Sequence, residues 1–340
     1  MKFASLKVPF KKDENNRVFK YKGRTIQDHS GKIIKHDNKN FYYELKKNLK
    51  QKGIILNTHD YYLRRNFKPN IEIHATHATK TTNEESYLLF PDTYLINKNN
   101  NKEFMLKNYK KIFTWNNEYL ENKKFIKVNT PKEINYNKFL FKNKKRKQFV
   151  ILASNKIYKK KNKRDLYYER IKIVKWFSKN ANNLLDIYGM DWDLPMVKSG
   201  IIGRLIRKFS KLNILKYNSP DSYKGIVKDK KKCLKNYKYC FCFENSDING
   251  YIGDLIWDCF MSGTIPIYLG SPYYENYIPK NTTINFRKFN NMKKLIKYLD
   301  NLDKKQYFKI ISNMKKFLQT DKKKKYSLKY NLNKIVSEID

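Results

Sequence analysis

The sequence predicts an α/β protein built on parallel β-sheets. In residues 41–115, a helical pattern and short apolar strands are followed by polar loops, an order typical of parallel sheets. In residues 237–269, a nearly all-apolar strand, a helix and a second strand follow one another, which predicts a βαβ unit. The chain has 340 residues, enough for two domains with their own cores.

The first half of the chain carries one predicted helix and three predicted strands. Apolar residues at helical spacing predict a helix over residues 41–52, which Gly53 ends. Short apolar runs predict the strands, at residues 54–56, 87–90 and 111–115.

The second half begins after residues 131–146, a segment without periodicity that we interpret as a linker. Strands are predicted at residues 149–152 and 184–188, with a helix over residues 165–179 between them, and residues 292–339 are predicted to be helical. The resulting domains are residues 1–145, residues 146–310 and a helical tail, residues 311–340. Two α/β domains side by side are expected to bind ligands in a cleft at the carboxyl ends of their strands.

The βαβ unit has a helix start suited to an anion. Its predicted helix carries one apolar stripe, and Asp254 and Asp258 lie on another face. Gly250 and Gly253 precede the stripe and allow a ligand close to the backbone. Free amides and the helix dipole favour a phosphate there, so this unit could hold a nucleotide, although many α/β proteins contain such units. The stripe consists of Ile252, Leu255, Ile256, Cys259 and Phe260.

The composition is strongly basic, with 74 Lys plus Arg against 31 Asp plus Glu and a net charge of +43. Such a charge raises nucleic acid, an anionic small molecule or a membrane surface as a partner. However, lysine dominates and is spread along the chain, which favours solvated faces over a binding patch. No helix-turn-helix, zinc or RNA-binding pattern is present, so the sequence disfavours nucleic acid as a partner.

Cysteine, histidine and hydropathy patterns indicate a reduced protein without a metal. The four cysteines form no Cys-x-x-Cys pair, which predicts reduced thiols. His74 and His77 are only a weak metal signal, and we expect no metal site. No apolar window has the length of a transmembrane helix, and the first eight residues are too short and polar for a signal peptide. We therefore expect a cytoplasmic location.

Several motifs together resemble the signature of glycosyltransferase family 10, the α-1,3/4-fucosyltransferases. Within the βαβ unit, these are FENS at 243–246, GYI at 250–252, IWDCF at 256–260 and GTIPIYLG at 263–270. Further matches at 113–116, 153–155, 164–170, 186–189 and 223–230 extend the resemblance over about residues 40 to 290. The resemblance implies the GT-B fold: two Rossmann-like domains facing across a cleft, with GDP-fucose in the C-terminal one.

The implied reaction is inverting transfer of L-fucose from GDP-fucose to a glycan hydroxyl, with an α-1,3 linkage to a GlcNAc or Glc residue expected. A carboxylate of the N-terminal domain takes the acceptor proton, and basic groups stabilise the departing GDP. No cofactor is required, although stimulation by Mn²⁺ is compatible with the family.

The resemblance also assigns residues. Arg164 matches the arginine expected at the diphosphate, and Arg170 is a rival for that role because the local alignment permits either. Asn245 and Tyr251 match donor-contacting positions, and Glu244 is expected to orient the loop instead of taking part in the chemistry.

Two departures from the family pattern concern the chemistry. Where the family has Thr-Glu-Lys, this chain has Gly253-Asp254-Leu255, so a carboxylate that could bind the donor ribose is shorter and a phosphate-binding cation is lost. We expect Lys230 to replace that cation. The catalytic base is expected to be Asp92, where the family often has a glutamate; a turn-forming role for this aspartate is the alternative.

The leading hypothesis is therefore a glycosyltransferase acting on a glycan assembled at the cytoplasmic face of a membrane. Lipopolysaccharide modification and protein glycosylation are both compatible with it. The positive charge would favour peripheral association with anionic lipid. The alternatives are the same fold with another nucleotide-sugar donor, and a catalytically silent or nucleic-acid-binding relative.

Overall fold

The structure is a computed structural model that describes residues 1–20, 23–27, 33–134, 141, 145–157, 162–195, 205–206, 208–210 and 218–339. The chain forms two compact units. Unit 1 comprises residues 1–133 and 324–340, and unit 2 comprises residues 134–323. The linker predicted at residues 131–146 lies in large part outside the described residues.

Unit 1 contains a six-stranded parallel sheet with the strand order β4-β1-β5-β6-β7-β8, and a separate antiparallel pair, β2 and β3. Its strands are β1 (Lys2–Lys7), β2 (Gly23–Gln27), β3 (Ile33–Lys39), β4 (Ile54–Thr58), β5 (Ile71–Ala75), β6 (Ser86–Leu89), β7 (Lys111–Thr114) and β8 (Phe125–Lys127). The predicted strands β4, β6 and β7 are confirmed. Strands β1 and β5 lie inside the sheet and were not predicted.

The helices of unit 1 include α1 (Phe41–Gln51), α2 (His59–Leu63) and α3 (Lys102–Asn108). The side chain of Asn40 caps α1 by accepting a hydrogen bond from the Tyr42 N–H at 3.0 Å. The helix ends before Gly53, whose φ of +76° only glycine adopts without strain. Leu45 and Leu49 of α1 are buried in the apolar core over the sheet, as the helical spacing predicts.

Unit 2 contains a five-stranded parallel sheet with the strand order β10-β9-β11-β12-β13. Its strands are β9 (Lys147–Leu152), β10 (Leu185–Tyr188), β11 (Tyr237–Phe243), β12 (Ile265–Leu269) and β13 (Ile284–Asn285). Its helices include α4 (Tyr167–Asn180), α5 (Lys230–Leu234), α6 (Leu255–Ser262), α7 (Met292–Asp300) and α8 (Lys304–Gln319).

The predicted βαβ unit is present as β11, α6 and β12, and it differs from the prediction at the helix. Helix α6 begins at Leu255, so Ile252 precedes the helix instead of opening its stripe. Every residue from Ile256 to Ser262 is buried, Asp258 included, although that aspartate was predicted to lie on a face other than the apolar stripe. The helix is therefore enclosed on all sides, because α8 and β12 also pack against it.

The end of the chain returns to unit 1 as α9 (Leu328–Ser337). Leu332, Ile335 and Ile339 join the apolar cluster that contains Leu45 and Leu49 of α1. The predicted tail, residues 311–340, is thus divided between the units, because the apolar side of α9 is buried in the core of unit 1.

The four cysteines are free thiols, and Cys240, Cys242 and Cys259 are buried. Burial raises the pKa of Cys242 to about 11, so this thiol carries little thiolate near neutral pH. Within the part of the chain that the structure describes, none of the helices combines the length and apolar character that crossing a bilayer requires.

Truncating Ile335 should destabilise unit 1. This side chain is fully buried, so Ile335→Ala removes apolar contacts and leaves a cavity, with an expected loss of about 3 kcal/mol in the free energy of unfolding. The matched control is Asn333→Ala, an exposed position on the same helix, which should change stability by less than about 0.5 kcal/mol. Urea denaturation of both variants makes the measurement. Equal stability of the two would contradict the packing of α9 in the core.

Candidate active site

The residues predicted to bind the donor lie in unit 2, where β11 ends. Glu244 follows the strand and extends its pairing, because its N–H donates to the Leu269 carbonyl oxygen at 2.8 Å. Its side chain is 7% exposed, and its Oε1 accepts a hydrogen bond from the Gly253 N–H at 2.7 Å. Glu244 thereby ties the segment before α6 to the end of β11.

The Glu244 carboxyl group is enclosed by two glycines. A Cβ atom on Gly253 would lie 2.6 Å from Glu244 Oε2, and one on Gly270 would lie 2.4 Å from Glu244 Cγ. Burial raises the pKa of Glu244 to about 7, although the Gly253 N–H and the Arg170 guanidinium oppose the rise. A larger residue at either glycine would therefore displace the carboxyl group that holds the loop.

Arg170 supports this loop from the first turn of α4. Its Nη2 donates to the Phe243 carbonyl oxygen and to Asn245 Oδ1, the latter at 3.0 Å. Its guanidinium also stacks over the Tyr167 ring, 4.9 Å from the ring centroid. The arginine is 9% exposed, so its charge is used largely to fix the end of β11 and the side chain of Asn245.

Arg164 lies beside the same loop because the two backbones pair. The Asp247 N–H donates to the Arg164 carbonyl oxygen at 2.9 Å, and the Leu166 N–H donates to the Asn245 carbonyl oxygen at 3.2 Å. Arg164 is half-buried and is placed next to Asn245 and Asp247. Of the two rival arginines, Arg170 is committed to the loop backbone, and Arg164 is the one placed alongside the loop.

Lys230 lies near the position where this chain has Leu255 and the family pattern has a lysine. Its Nζ is 3.5 Å from Asp254 Oδ2, and Asp254 directly precedes α6. Leu255, in place of the lysine, packs against the apolar cluster that includes Val150 and Leu234. The structure thus brings Lys230 and Asp254 together and directs Leu255 toward the core.

Tyr251 is held through its backbone, because its carbonyl oxygen accepts a hydrogen bond from Tyr268 Oη at 3.3 Å. Its ring is half-buried, in the same segment that Glu244 fixes.

One further cation near this loop, Arg287, was not predicted from the sequence. Arg287 follows β13, and its Nη2 is 2.8 Å from Asp247 Oδ1 and donates to the Gly270 carbonyl oxygen at 2.6 Å. The sequence does contain a signal for Arg287: it is an arginine just after a short apolar strand, in a chain whose basic residues are mostly lysine.

Asp92, the predicted base, lies in unit 1 just beyond β6. Its Oδ2 is 3.3 Å from His77 Nε2, and His77 follows the neighbouring strand β5. Both side chains are partly exposed, at 41% and 31%. The sequence did not predict this pair, because only the parallel pairing of β5 with β6 brings the two strand ends together.

His74 and His77 have separate partners. His74 is buried, with Nε2 2.8 Å from Glu72 Oε1 and Nδ1 2.7 Å from Tyr109 Oη, so both ring nitrogens are engaged. His77 instead lies beside Asp92. Among the described residues, no three side chains of histidine, cysteine, aspartate or glutamate are grouped so that they could hold a metal ion.

The C-terminal region matches a family model, "Glycosyltransferase family 10 (fucosyltransferase) C-term", over residues 201–334. Among curated proteins, the α-(1,3)-fucosyltransferase FucT of Helicobacter pylori is 38% identical over 73 residues, which are 22% of this chain and 15% of that protein. The GDP-fucose protein O-fucosyltransferase 3 of Xenopus tropicalis is 36% identical over 72 residues, 21% of this chain and 15% of that protein.

A third relative is the 4-galactosyl-N-acetylglucosaminide 3-α-L-fucosyltransferase 9 of Mus musculus, 37% identical over 73 residues, 21% of this chain and 20% of that protein. The chain therefore spans between 15% and 20% of the length of these curated relatives. The family resemblance predicted from the sequence is confirmed over residues 201–334.

Solved structures resemble the whole chain. A crystal structure of an α1,3-fucosyltransferase with GDP has a TM-score of 0.55 and 15% identity, and the match covers 100% of this chain and 91% of that one. An α1,3-fucosyltransferase with GDP-fucose has a TM-score of 0.51 at the same identity and coverage. At this identity the likeness establishes the fold, an α/β fold of the GT-B type with two parallel-sheet units, as predicted.

Glu244 should make stability depend on pH. Its pKa rises from the ordinary value of 4.5 to about 7 on burial, so between these values the folded protein keeps a proton that the unfolded chain has released. The free energy of unfolding should therefore fall by about 3 kcal/mol from below pH 4.5 to above pH 7. Urea denaturation across this range measures the slope.

Glu244→Gln cannot titrate, so it should remove that part of the slope. The control is Glu169→Gln, because Glu169 lies on the outer side of α4 and pairs with the exposed Lys172. Parallel pH profiles for wild type and Glu244→Gln would show that this carboxyl group is not the one responsible.

Proposed function

We propose, on the premise that residues 201–334 belong to glycosyltransferase family 10, that this protein transfers L-fucose from GDP-fucose to a hydroxyl of a glycan. One observation carries the proposal. The loop after β11 has Asn245 and Asp247 paired through their backbone with Leu166 and Arg164, which places an arginine beside the family's donor motif. Arg164 lies outside residues 201–334, so this juxtaposition comes from the fold and not from the family match.

In the proposed donor complex, unit 2 supplies the cations that the diphosphate needs. Arg164 is the principal ligand, because a planar guanidinium can donate two parallel hydrogen bonds to phosphate oxygens. Lys230 contributes the positive charge that a lysine in place of Leu255 would supply. Arg287 lies at the same edge of the sheet. These groups would stabilise the negative charge that develops on GDP as the glycosidic bond breaks, without a metal or another cofactor. Adding Mn²⁺ and EDTA in parallel assays tests that independence.

The remaining donor contacts follow from the loop geometry. Asn245 would present its side-chain amide from a position fixed by Arg170, and Tyr251 would flank the donor from the segment that Glu244 holds. Asp254, shorter than the family's glutamate, would accept hydrogen bonds from the ribose. Glu244 and Arg170 act on the donor only through this loop, so they are positioning residues.

The proposed transfer inverts the anomeric centre in one displacement. The acceptor oxygen attacks C1 of fucose from the face opposite the phosphate, and GDP leaves with the bonding electron pair. A base in unit 1 removes the acceptor proton, and Asp92 is the carboxylate predicted for that role. The proposed product is a glycan that carries L-fucose in an α-1,3 linkage to a GlcNAc or Glc residue.

The relatives support the donor more strongly than the acceptor. Two of them are 36% and 37% identical to this chain over 72 and 73 residues, yet one is named as a protein O-fucosyltransferase and the other as a transferase to an N-acetylglucosaminide. An acceptor in lipopolysaccharide or on a protein, and peripheral binding at the cytoplasmic face of an anionic membrane, are therefore parts of the proposal that acceptor screening and vesicle flotation must test.

A second donor is the alternative that the site itself favours. Asp254 and Leu255 replace a glutamate and a lysine at the donor loop, so another nucleotide sugar could fit better than GDP-fucose. The net charge of +43 makes a nucleic-acid-binding relative a further alternative. That relative would bind an oligonucleotide with a steep dependence on salt and would not respond to any nucleotide sugar.

Arg164→Ala should weaken GDP-fucose binding tenfold or more, because charge-assisted hydrogen bonds to phosphate contribute about 1.5–3 kcal/mol. Titration calorimetry with GDP-fucose, GDP-mannose, UDP-sugars and GDP alone makes the measurement. Lys163→Ala is the matched control, since Lys163 is the exposed neighbouring cation. Tight binding of a different nucleotide sugar would identify that sugar as the donor in place of GDP-fucose. If none of these ligands binds, the proposed donor site is wrong.

Lys230→Met should weaken GDP-fucose binding by a similar factor while preserving the apolar stem of the side chain. Lys232→Met is its control, because Lys232 is 75% exposed and its ion pair with Asp229 is long, at 3.8 Å. Both variants carry the same net charge, so the difference between them isolates the position of the cation. If the two bind GDP-fucose equally, Lys230 does not replace the missing lysine.

A further inference from the structure

A cavity of about 260 Å³ lies in unit 1, and the residues that line it all belong to that unit. Its floor includes Ser5 of β1 and Glu72 of β5, which stand opposite one another in the parallel pairing of the two strands. The chain neighbours of both residues belong to the apolar cluster with Leu45 and Leu49, so strand alternation places Ser5 and Glu72 on the other face of the sheet. Helix α2 and the loop after it form one wall, and the segment before β6 forms another.

The walls of the cavity are fixed by contacts within unit 1. On one side, the Phe67 N–H donates to the Tyr62 carbonyl oxygen at 3.1 Å. The Phe67 ring packs against the rings of Phe3 and Tyr62, with centroid separations of 5.0 and 5.5 Å. On the other side, Asn83 Nδ2 donates to the Asn70 carbonyl oxygen at 2.7 Å, which joins the segment before β6 to the start of β5. The cavity is therefore preformed, as small-molecule sites usually are.

Glu72 is a structural part of the floor and not a free ligand group. Its Oε1 lies 2.8 Å from His74 Nε2 and 3.3 Å from Lys7 Nζ. Its Oε2 accepts a hydrogen bond from the Thr82 N–H at 3.0 Å. Burial opposes ionisation, but the hydrogen bonds from His74 and Thr82 outweigh it and lower the pKa of Glu72 to about 2. The negative charge of Glu72 is matched by that of Lys7, so the two together leave the floor without a net charge.

Two side-chain atoms of the lining residues have no hydrogen-bond partner among the residues that the structure describes: Ser5 Oγ and His59 Nδ1. Ser5 is fully buried, and a buried polar atom without a partner is costly and uncommon in folded proteins. Burial lowers the pKa of His59, and the nearby Lys7 lowers it further, so the imidazole is neutral near pH 7. Ligand hydroxyl groups suit both atoms, because a hydroxyl can donate or accept as each atom requires.

The rest of the lining combines apolar surface with neutral hydrogen-bonding groups. Leu63 and Phe67 are 66% and 43% exposed, so their apolar surface is available to a ligand. Asn66 and Thr82 add an amide and a hydroxyl group, and the ammonium group of the exposed Lys68 keeps its hydration. The volume is below the range of about 300–1,000 Å³ that is typical of pockets for drug-sized molecules, so the cavity suits a single ring.

We propose that this cavity binds a neutral sugar ring, either as a free monosaccharide or as one residue of a glycan. Hydroxyl groups of the ring would pair with Ser5 Oγ and His59 Nδ1, and a C–H face of the ring would lie against Phe67. The ionised Glu72 disfavours an anion. Lys7 disfavours a cation, and both oxygens of Glu72 are already engaged. Such a site is additional to the proposed function, because it involves unit 1 alone and requires no nucleotide.

Ligand-observed saturation-transfer NMR tests the site with D-glucose, D-galactose and N-acetylglucosamine, their methyl glycosides and short oligomers of each. At least one neutral sugar should bind with a dissociation constant in the millimolar range, as expected for a ligand of one ring. Glucuronate and 6-amino-6-deoxyglucose, which carry a charge on the same ring, should bind about threefold more weakly or less well still. Tighter binding of the methyl glycosides and oligomers would identify a glycan residue as the occupant, and tighter binding of the free sugars a monosaccharide.

Ser5→Ala should weaken sugar binding about two- to tenfold and leave the stability of the protein unchanged or raised, because this hydroxyl group has no partner to lose. Ser86→Ala is the matched control. Ser86 is a buried serine of β6 whose Oγ donates to the Asn108 carbonyl oxygen at 3.0 Å. Its truncation should lower stability and leave sugar binding within about twofold of wild type. Urea denaturation of both variants measures stability beside the NMR titrations.

His59→Leu removes the other unpaired atom and should weaken binding by a similar factor, whereas His59→Asn should retain most of it, because an amide can replace Nδ1. If no neutral sugar binds, or if binding is unchanged in both Ser5→Ala and His59→Leu, the proposed site is wrong. Charged analogues that bind as tightly as the neutral sugars would also overturn it. These assays contain no GDP-fucose, so their failure would leave the proposed transfer intact, and calorimetry with that donor tests the transfer separately.

Discussion

The carboxyl group of Glu244 is the constraint on which the loops around the end of β11 depend. It is buried at the end of β11 and holds the Gly253 N–H at 2.7 Å, so the segment before α6 has to pass directly over it. That contact explains the glycine where the family pattern has a threonine, because a Cβ atom there would lie 2.6 Å from Glu244 Oε2. The departure at position 253 is thus a consequence of local packing and does not by itself indicate a lost activity.

The change at position 255 has a different physical origin. Leucine extends the apolar surface of α6 into the cluster with Val150 and Leu234, and a charged side chain pointing the same way would be costly to bury. The structure places a cation nearby from another element, since Lys230 opens α5 and contacts Asp254 at 3.5 Å. Under the proposed function, a phosphate group responds to the positive charge at a given place, whichever helix supplies it.

The sequence was informative where a single segment determines its own structure. The uninterrupted apolar run of β11 and the helical spacing of Leu45 and Leu49 predict those elements and their burial. Strands β1 and β5 were missed because KFASLK and IEIHA mix polar and apolar residues, and only their neighbours in the sheet make them interior strands. Contacts between distant segments were beyond the sequence for the same reason: the pairing of Arg164 with Asp247, the place of Arg287 and the approach of His77 to Asp92 all depend on strand order.

The charge of the chain and the charge of the site are separate matters. Lysine supplies most of the excess, and in the described part of the chain it lies mainly at exposed or half-buried positions, where long flexible ammonium side chains keep their hydration. The scarcer arginines recur at the loops around the end of β11: Arg170 holds the end of the strand, Arg287 bridges Asp247 and Gly270, and Arg164 lies alongside. A guanidinium fixes several acceptors in one plane, which an ammonium cannot do. The arginines, more than the net charge, therefore distinguish the loops around the end of β11 from the lysine-rich surface.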